Sequence, residues 1–401
     1  VTLFQAPVAG ARLQLAALTT FGLEALAAGE LRGLGFPDPV VENGRVRFGG
    51  GLAELARASL WLRTADRVVL RLAEFQAEDF DALYQGVQAV RWEDFLPENA
   101  RLAVAARSLH SRLSAVPACQ ATVKKGIVQA LRRRYRRERF PEDGPEYSVE
   151  LALNRDLAVL SLDTTGEGLH RRGYRRRAGQ APLRETLAAA LVLLSRWEPS
   201  RPLADPFCGS GTIAIEAAQL GLGLAPGRAR RFAAESWPHV PQSVWREARA
   251  QVREREAGAR STALNIRAAD RDDGIVRVAR ENARTAGVLE AVRFDVQAAE
   301  EFRCGERFGC LICNPPYGER SGEASQVEEL YRRLGRTFSR LPDWSVFVLT
   351  GHPGFERLYG RRADRNRKLY NGNLKTYLYQ YFGPLPPGAL PPGLPPPSPP
   401  R

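Results

Sequence analysis

The sequence predicts an α/β protein in which a mostly parallel sheet is preceded by a mixed α+β region. Two observations carry this. From residue 202 onward, apolar strands, Gly-rich or acidic turns and helices alternate, the pattern of strands joined by helical crossovers. Upstream, shorter strands and helices follow one another without that regular alternation. At 401 residues the chain is too long for one compact core and fits two or three domains, and its 44% hydrophobic content suits a folded protein.

Apolar spacing places each element. Leu13 to Leu18 reads as a short strand, Gly22 to Leu34 as a helix, Val46 to Phe48 as a strand and Leu52 to Trp61 as a helix. Val68 to Phe75 is strand-like, Phe80 to Val90 helical and Arg101 to Arg107 strand-like. Ala121 to Arg137 is a long helix with one basic face. Ser148 to Asn154 and Leu157 to Asp163 form paired strands about a tight Asn-Arg-Asp turn. Leu187 to Trp197 is an Ala/Leu-rich helix ended by Pro199. Gly221 to Ser261 is an Arg-rich helical insertion, and residues 384–401 are too Pro-rich to pack a core.

Composition narrows the function. The longest apolar run, Leu187 to Leu194, is under half of a membrane span, and Arg12 interrupts the apolar N-terminal stretch, so a cytoplasmic protein without a membrane role is expected. Five scattered cysteines do not suggest a disulfide framework. Cys310 and Cys313 form a C-x-x-C, but Cys310-Leu311-Ile312-Cys313 reads as a buried strand whose first and fourth side chains face opposite ways, so no metal is expected. The net charge is +13, with lysine only at 124, 125, 368 and 375. Arginine dominance can reflect coding bias, so clustering is better evidence than the total. Two clusters, 124–139 and 171–177, each carry an embedded Tyr and few acids. Phosphate contact by Lys124, Lys125, Arg133, Arg134, Arg137, Arg172 and Arg175 outweighs a merely solvated face.

Four signals carry chemistry. Asp205-Pro206-Phe207-Cys208-Gly209-Ser210-Gly211-Thr212 follows a strand and opens a helix. Its glycines permit a tight turn and close ligand approach. A phosphate loop would end in Gly-Lys-Ser/Thr, and that ending is absent. Such a loop suits a ligand with a carboxylate and an adenosine. Asp270, at the tip of the next strand, can accept ribose hydroxyls, although an acid there also serves as a helix cap. Asp295, after a third strand, can accept from an adenine amino group. Most specific is Asn314-Pro315-Pro316-Tyr317 after the fourth strand. Paired prolines stiffen the chain, so the Asn314 amide oxygen and the Pro315 carbonyl can accept both hydrogens of a ring-bound amino group. Tyr317 can stack on that ring.

Together these residues resemble the class I S-adenosylmethionine-dependent methyltransferases of amino nitrogens. Ser108 to Ser111 with Lys124 to Ile127, Arg172 to Arg175, Ala181 to Ala189, and Asn371-Gly372 before a last strand narrow the resemblance. It is to the THUMP-domain bacterial enzymes that methylate guanine N2 of 23S ribosomal RNA, and it covers roughly residues 1–383. The resemblance implies a ferredoxin-like piece at 1–50 and a THUMP RNA-binding domain at 51–165. A Rossmann-like methyltransferase domain follows at 166–383, its sheet seven-stranded with the last strand antiparallel, and a disordered tail at 384–401. It implies S-adenosylmethionine as cofactor, RNA as partner (ribosomal first, transfer RNA as alternative) and a monomer. Competing readings are adenine-N6 or protein glutamine-N5 methylation, which share the NPPY motif, and a non-catalytic RNA-binding module. The basic N-terminal half opposes a protein substrate, and the intact NPPY opposes a module without catalysis.

Overall fold

The computed structural model describes residues 1–5, 7, 10–175, 183–258, 263–317 and 324–388. Arg176, Arg177, Ala181, Pro182, Gly318 and the tail from 389 lie outside the described residues. The chain forms two units, one of residues 1–19, 24–169 and 226–254, the other of 20–23, 170–225 and 255–401.

The first unit opens with β1 (Thr2–Leu3), β2 (Leu13–Thr19), α1 (Glu24–Gly33), β3 (Val40–Glu42), β4 (Arg45–Gly50) and α2 (Leu52–Trp61). It continues through β5 (Ala65–Gln76), α3 (Phe80–Gln88), β6 (Arg101–Leu109), α4 (Val116–Tyr135), β7 (Glu146–Asn154) and β8 (Leu157–Asp163). One sheet runs β3-β4-β2-β5-β8-β7-β6, with β1 also on β5. Strand β5 is twelve residues long and mostly buried, and it pairs with β2 on one side and β8 on the other, fusing both halves into a single sheet. The β7–β8 turn uses positive φ at Arg155 and Asp156, the geometry that suits the twist of a two-residue hairpin. Strand β3 escapes a periodicity reading because it is a three-residue edge whose Val40 and Val41 are both exposed.

The second unit holds α5 (Glu185–Leu194), β9 (Leu203–Asp205) and α6 (Thr212–Gly221). Next comes α7 (Gln242–Gly258), most of which belongs to the first unit. Then follow β10 (Ile266–Asp270), α8 (Asp273–Ala286), β11 (Arg293–Val296), β12 (Cys310–Cys313), α9 (Ala324–Phe338), β13 (Ser345–Thr350), α10 (Phe355–Tyr359), β14 (Arg365–Asn371) and β15 (Leu374–Tyr381). The sheet order is β11-β10-β9-β12-β13-β15-β14, parallel except that β15 runs against both neighbours. The expected seven strands and reversed last strand are present. Strands β9 and β12 are buried at every position, as the centre of a sheet covered on both faces must be. The chain order reverses between β9 and β12, and in open α/β sheets the crevice at that switch point, beyond the strand C-termini, takes the ligand.

Candidate active site

Both motif loops leave the sheet at this switch point. Asp205 ends β9, and its Oδ1 accepts the Phe207 N–H at 3.1 Å, folding the loop back on the strand. The Cys208 N–H donates to the Ala269 carbonyl of β10 at 2.8 Å, and Asn282 Nδ2 of α8 holds the Ser210 carbonyl at 3.0 Å. Gly211 has φ +86°, which favours glycine, and a Cβ there would lie a tight 3.1 Å from Ala279 Cβ. Gly209, at φ +50°, has open space where a side chain would stand.

Asp205 is 1% exposed and its Oδ2 has no protein hydrogen-bond partner. Burial pushes its carboxyl up to about 8, the Phe207 N–H opposes this, and nearby Asp270 adds to it. A buried orphan carboxylate oxygen is costly unless a ligand donates to it. An orphan oxygen and a glycine facing open space, in one loop before a helix N-terminus, fit a ligand with polar donors and a carboxylate. These are the groups of S-adenosylmethionine. Asp270 Oδ2 accepts the Gly209 N–H at 3.0 Å and Oδ1 accepts the Asp272 N–H at 3.1 Å. It braces the glycine loop and, as a half-buried carboxylate, keeps lone pairs free to accept further donors. The helix cap falls to Asp272 instead.

Asp295, on β11, lies beside two arginines. Arg293 Nε donates to its Oδ1 at 3.1 Å, and Arg267 Nη2 on the neighbouring strand lies 3.8 Å from Oδ2. These ion pairs run along the sheet and leave Asp295 half-buried. Gln297, just past β11, was missed by motif reading. Its N–H donates to the Asp270 carbonyl at 2.9 Å, which puts the β11 exit beside the β10 acid.

Arg172 and Arg175, from the 171–177 cluster, both turn toward acids of the second unit. Arg172 is 3% exposed, with Nε 3.5 Å from Glu216 Oε1, and Tyr174 is buried and donates its hydroxyl to that oxygen at 3.2 Å. Arg175 donates to Thr212 Oγ1 at 2.7 Å and to the Leu183 carbonyl at 2.9 Å, with Nε 3.6 Å from Glu185. Burial raises the Glu185 carboxyl, and the Arg175 charge opposes that. These arginines face acids on α5 and α6 and clamp the start of α6.

In the NPPY loop the Tyr317 hydroxyl donates to Asn314 Oδ1. Tyr331, fully buried on α9, donates to the Pro316 carbonyl at 2.7 Å and lies 2.8 Å from Thr350 Oγ1. Pro315 is buried, Pro316 exposed, and Asn314 and Tyr317 half-buried. Tyr331 and Thr350 are bracing residues that no local motif marks. Burial, and then the nearby Asp205 carboxylate, hold the Cys313 thiol well above its usual range, so it sits as a neutral packing group. Cys208 is likewise buried. Among the described residues no group of three or more His, Cys, Asp or Glu converges on a metal position, and no helix is long and apolar enough to cross a membrane.

On the first unit, Lys124, Lys125 and Arg133 of α4 are exposed. Arg134 lies 3.7 Å from Glu93 and Arg137 2.5 Å from Glu98, so these two have acidic neighbours. The embedded Tyr135 turns inward and donates to the Leu96 carbonyl at 3.2 Å.

Residues 172–380 match the family of RMKL-like methyltransferase domains, 14–69 the RlmL ferredoxin-like domain and 77–163 the THUMP domain. YpsC of Bacillus subtilis (strain 168), assigned by name to the RNA methyltransferases, is 44% identical over 375 residues, covering 93% of this chain and 97% of its own. The ribosomal RNA large subunit methyltransferase K/L of Syntrophotalea carbinolica is 38% identical over 372 residues, 90% of this chain and 52% of its own length. The chain thus spans about half the length of that K/L relative. Among solved structures, SMU.472, assigned to the methyltransferases and complexed with S-adenosylhomocysteine, is 43% identical with a TM-score of 0.86, covering 93% of this chain and 98% of its own.

Proposed function

The chain belongs to the RMKL-like methyltransferase family, and on that premise we propose that it methylates the exocyclic N2 of a guanine in RNA, with 23S ribosomal RNA as substrate. The observation that carries the reading is the placement of the NPPY loop and the glycine loop at the C-terminal ends of adjacent parallel strands, β12 and β9. A base amino group at Asn314 is thereby brought to the mouth of the cofactor site. The THUMP match, the net charge of +13 and the likeness to the ribosomal RNA large subunit methyltransferase K/L favour RNA and, within RNA, the large-subunit species.

Bound at the glycine loop, S-adenosylmethionine supplies an electrophilic methyl group. The chain's own residues do the rest. Asp205, Gly209 and Gly211, with Phe207, Cys208, Ser210 and Thr212 in the same turn, shape the cofactor pocket, and Asp270 presents its carboxylate to the ribose. Asn314 Oδ1 and the Pro315 carbonyl accept the two amino hydrogens, which concentrates electron density on the nitrogen and aims its lone pair. A carbonyl oxygen has two lone pairs, so Asn314 keeps the Tyr317 hydroxyl while accepting the base. The Tyr317 ring stacks on the purine, Tyr331 holds the Pro316 carbonyl in register, and the proton released from nitrogen passes to these carbonyl acceptors or to water. Catalysis is positioning and exclusion of water, and the target base leaves its stack to reach the pocket. On α4, Lys124, Lys125 and Arg133, with Arg134 and Arg137 at the edge, grip RNA phosphates.

The test is incubation of the chain with labelled S-adenosylmethionine and unmodified 23S RNA or transfer RNA transcripts, followed by nucleoside mass spectrometry. N2-methylguanosine from the 23S transcript is expected. N6-methyladenosine, or label in transfer RNA alone, would replace the acceptor or the RNA class; no label in either RNA would remove the reading.

A further inference from the structure

The β14–β15 hairpin of the second unit carries a surface that the cofactor and NPPY loops leave unused. Its register sets Lys368 opposite Tyr377 and Tyr370 opposite Lys375. Directly opposed residues share a face, and the face repeats every second residue, so these four side chains form a two-by-two checkerboard on one side of the hairpin. Each lysine leans on a ring of its own strand. Lys368 Nζ is 5.3 Å from the Tyr370 centroid, and Lys375 Nζ is 5.3 Å from that of Tyr377. Phe21 widens the patch, meeting Tyr370 edge-on at 6.4 Å while remaining 53% exposed. Residues 361–375 contain six basic side chains and one acid, Asp364. Only four of the chain's 58 basic residues are lysine, and two of them stand here.

The patch adjoins the catalytic loop. A Cβ on Gly351, just past β13, would lie 3.6 Å from Tyr317 Cδ2 and 3.3 Å from the Lys375 carbonyl oxygen, so Tyr317 and Lys375 flank a single glycine. At the hairpin tip, Asn371 Oδ1 accepts the Arg184 N–H at the start of α5 at 3.4 Å.

We propose that this face holds the nucleotides flanking the target in a single-stranded stretch of RNA, with Phe21, Tyr370 and Tyr377 stacking bases and Lys368 and Lys375 taking phosphates. The inference rests on the RNA reading above. Stacking needs exposed base faces, which a duplex hides and a single strand offers, and rings interleaved with cations suit a strand in which bases and phosphates alternate. An acidic peptide would use the lysines and leave the rings idle.

The test measures binding of fluorescent oligouridylate (12 nucleotides) and of a 12-base-pair RNA duplex to the full chain with saturating S-adenosylhomocysteine. Tyr370→Ala should weaken oligouridylate binding about tenfold, the scale of one lost base stack, and Tyr370→Phe should restore it. Lys368→Ala with Lys375→Ala should flatten the salt slope by about 1.4, at about 0.7 per phosphate on single strands. Duplex binding should change less than twofold, and unchanged S-adenosylhomocysteine affinity certifies the fold of each variant. Unchanged oligouridylate affinity and slope, equal losses on the duplex, or capture of polyglutamate in preference to oligouridylate each overturn the assignment. So does a wild-type chain that ignores oligouridylate, whereas the RNA methyltransferase reading falls only if the nucleoside digests carry no methyl label.

Discussion

At Asp205 burial and charge conflict most directly. Its carboxyl is raised from 3.8 to about 8, chiefly by burial. Between those values the folded chain holds a proton that the unfolded chain has lost. The stability this contributes is fully present below about pH 4 and disappears as pH rises through 8. A ligand ammonium group beside the carboxylate favours the ionised form. Titration with S-adenosylhomocysteine at pH 6.5 should therefore release close to one proton, and at pH 9.5 almost none, as read from the buffer dependence of the calorimetric heat. Asp205→Asn should abolish the release; an unchanged release would assign the proton to another group. Asn314 and Tyr317 behave as a pair, because the Tyr317 hydroxyl orients the Asn314 amide. Single-turnover methylation should fall by about a hundredfold or more in Asn314→Ala, with cofactor affinity kept. Tyr317→Phe should cost roughly two- to tenfold, the worth of one hydrogen bond. Tyr317→Ala should cost more, because base stacking is lost too. Equal damage from Phe and Ala would give the hydroxyl a chemical role beyond orienting the amide.

Helix α4 and the 172–175 segment are both Arg-rich, and their surroundings separate them. Arg172 and Arg175 meet Glu216 and Glu185 inside the second unit, where an unpaired charge would be costly, so they are clamps. On α4, Lys124, Lys125 and Arg133 are exposed, and Arg134 and Arg137 form only surface pairs, which exchange readily for phosphate. Replacing Lys124, Lys125 and Arg133 with Ala should flatten the salt dependence of RNA binding by about two to three in log–log slope, at roughly 0.7–0.9 per phosphate. Binding should weaken across RNA sequences alike. An unchanged slope would leave α4 a solvated face.

The first unit is built from three separate stretches, and residues 226–254 are one of them. Trp237 from that stretch stacks on Tyr147 of β7, with centroids 4.7 Å apart and planes 16° from parallel, and Phe232 stacks on Trp245 at 5.1 Å. Arg230 Nη1 donates to the Gly168 carbonyl at 2.7 Å. An insertion between strands of the methyltransferase sheet thus supplies core to the N-terminal unit. Trp237 is 2% exposed, so Trp237→Ala should cost about 3–5 kcal/mol there. Hydrogen exchange of β7 and β8 amides should quicken by a hundredfold or more while β9 to β13 are unaffected. Uniform acceleration in both sheets would mean that the stack stabilises more than its own unit.

The strands and helices from β4 to β8 and from β9 to β12 and the two motif loops were legible from apolar period, turn residues and the NPPY and glycine motifs, because those signals act between near neighbours in the chain; the reversed last strand followed only from the family resemblance. Strand β3 was not, since a three-residue exposed edge has no period to read. Pairings between distant positions were also hidden: Arg172 with Glu216, Asp295 with Arg267, Trp237 with Tyr147, Tyr331 beneath Pro316. An arginine in a sequence is the same symbol whether it meets phosphate or a buried glutamate. The sequence by itself determined the α/β architecture and the placing of the two motif loops at the strand ends. Only the tertiary structure decided which charges face solvent and which close on each other, because burial and ion pairing depend on what the fold brings within a few ångströms, not on what is adjacent in the chain.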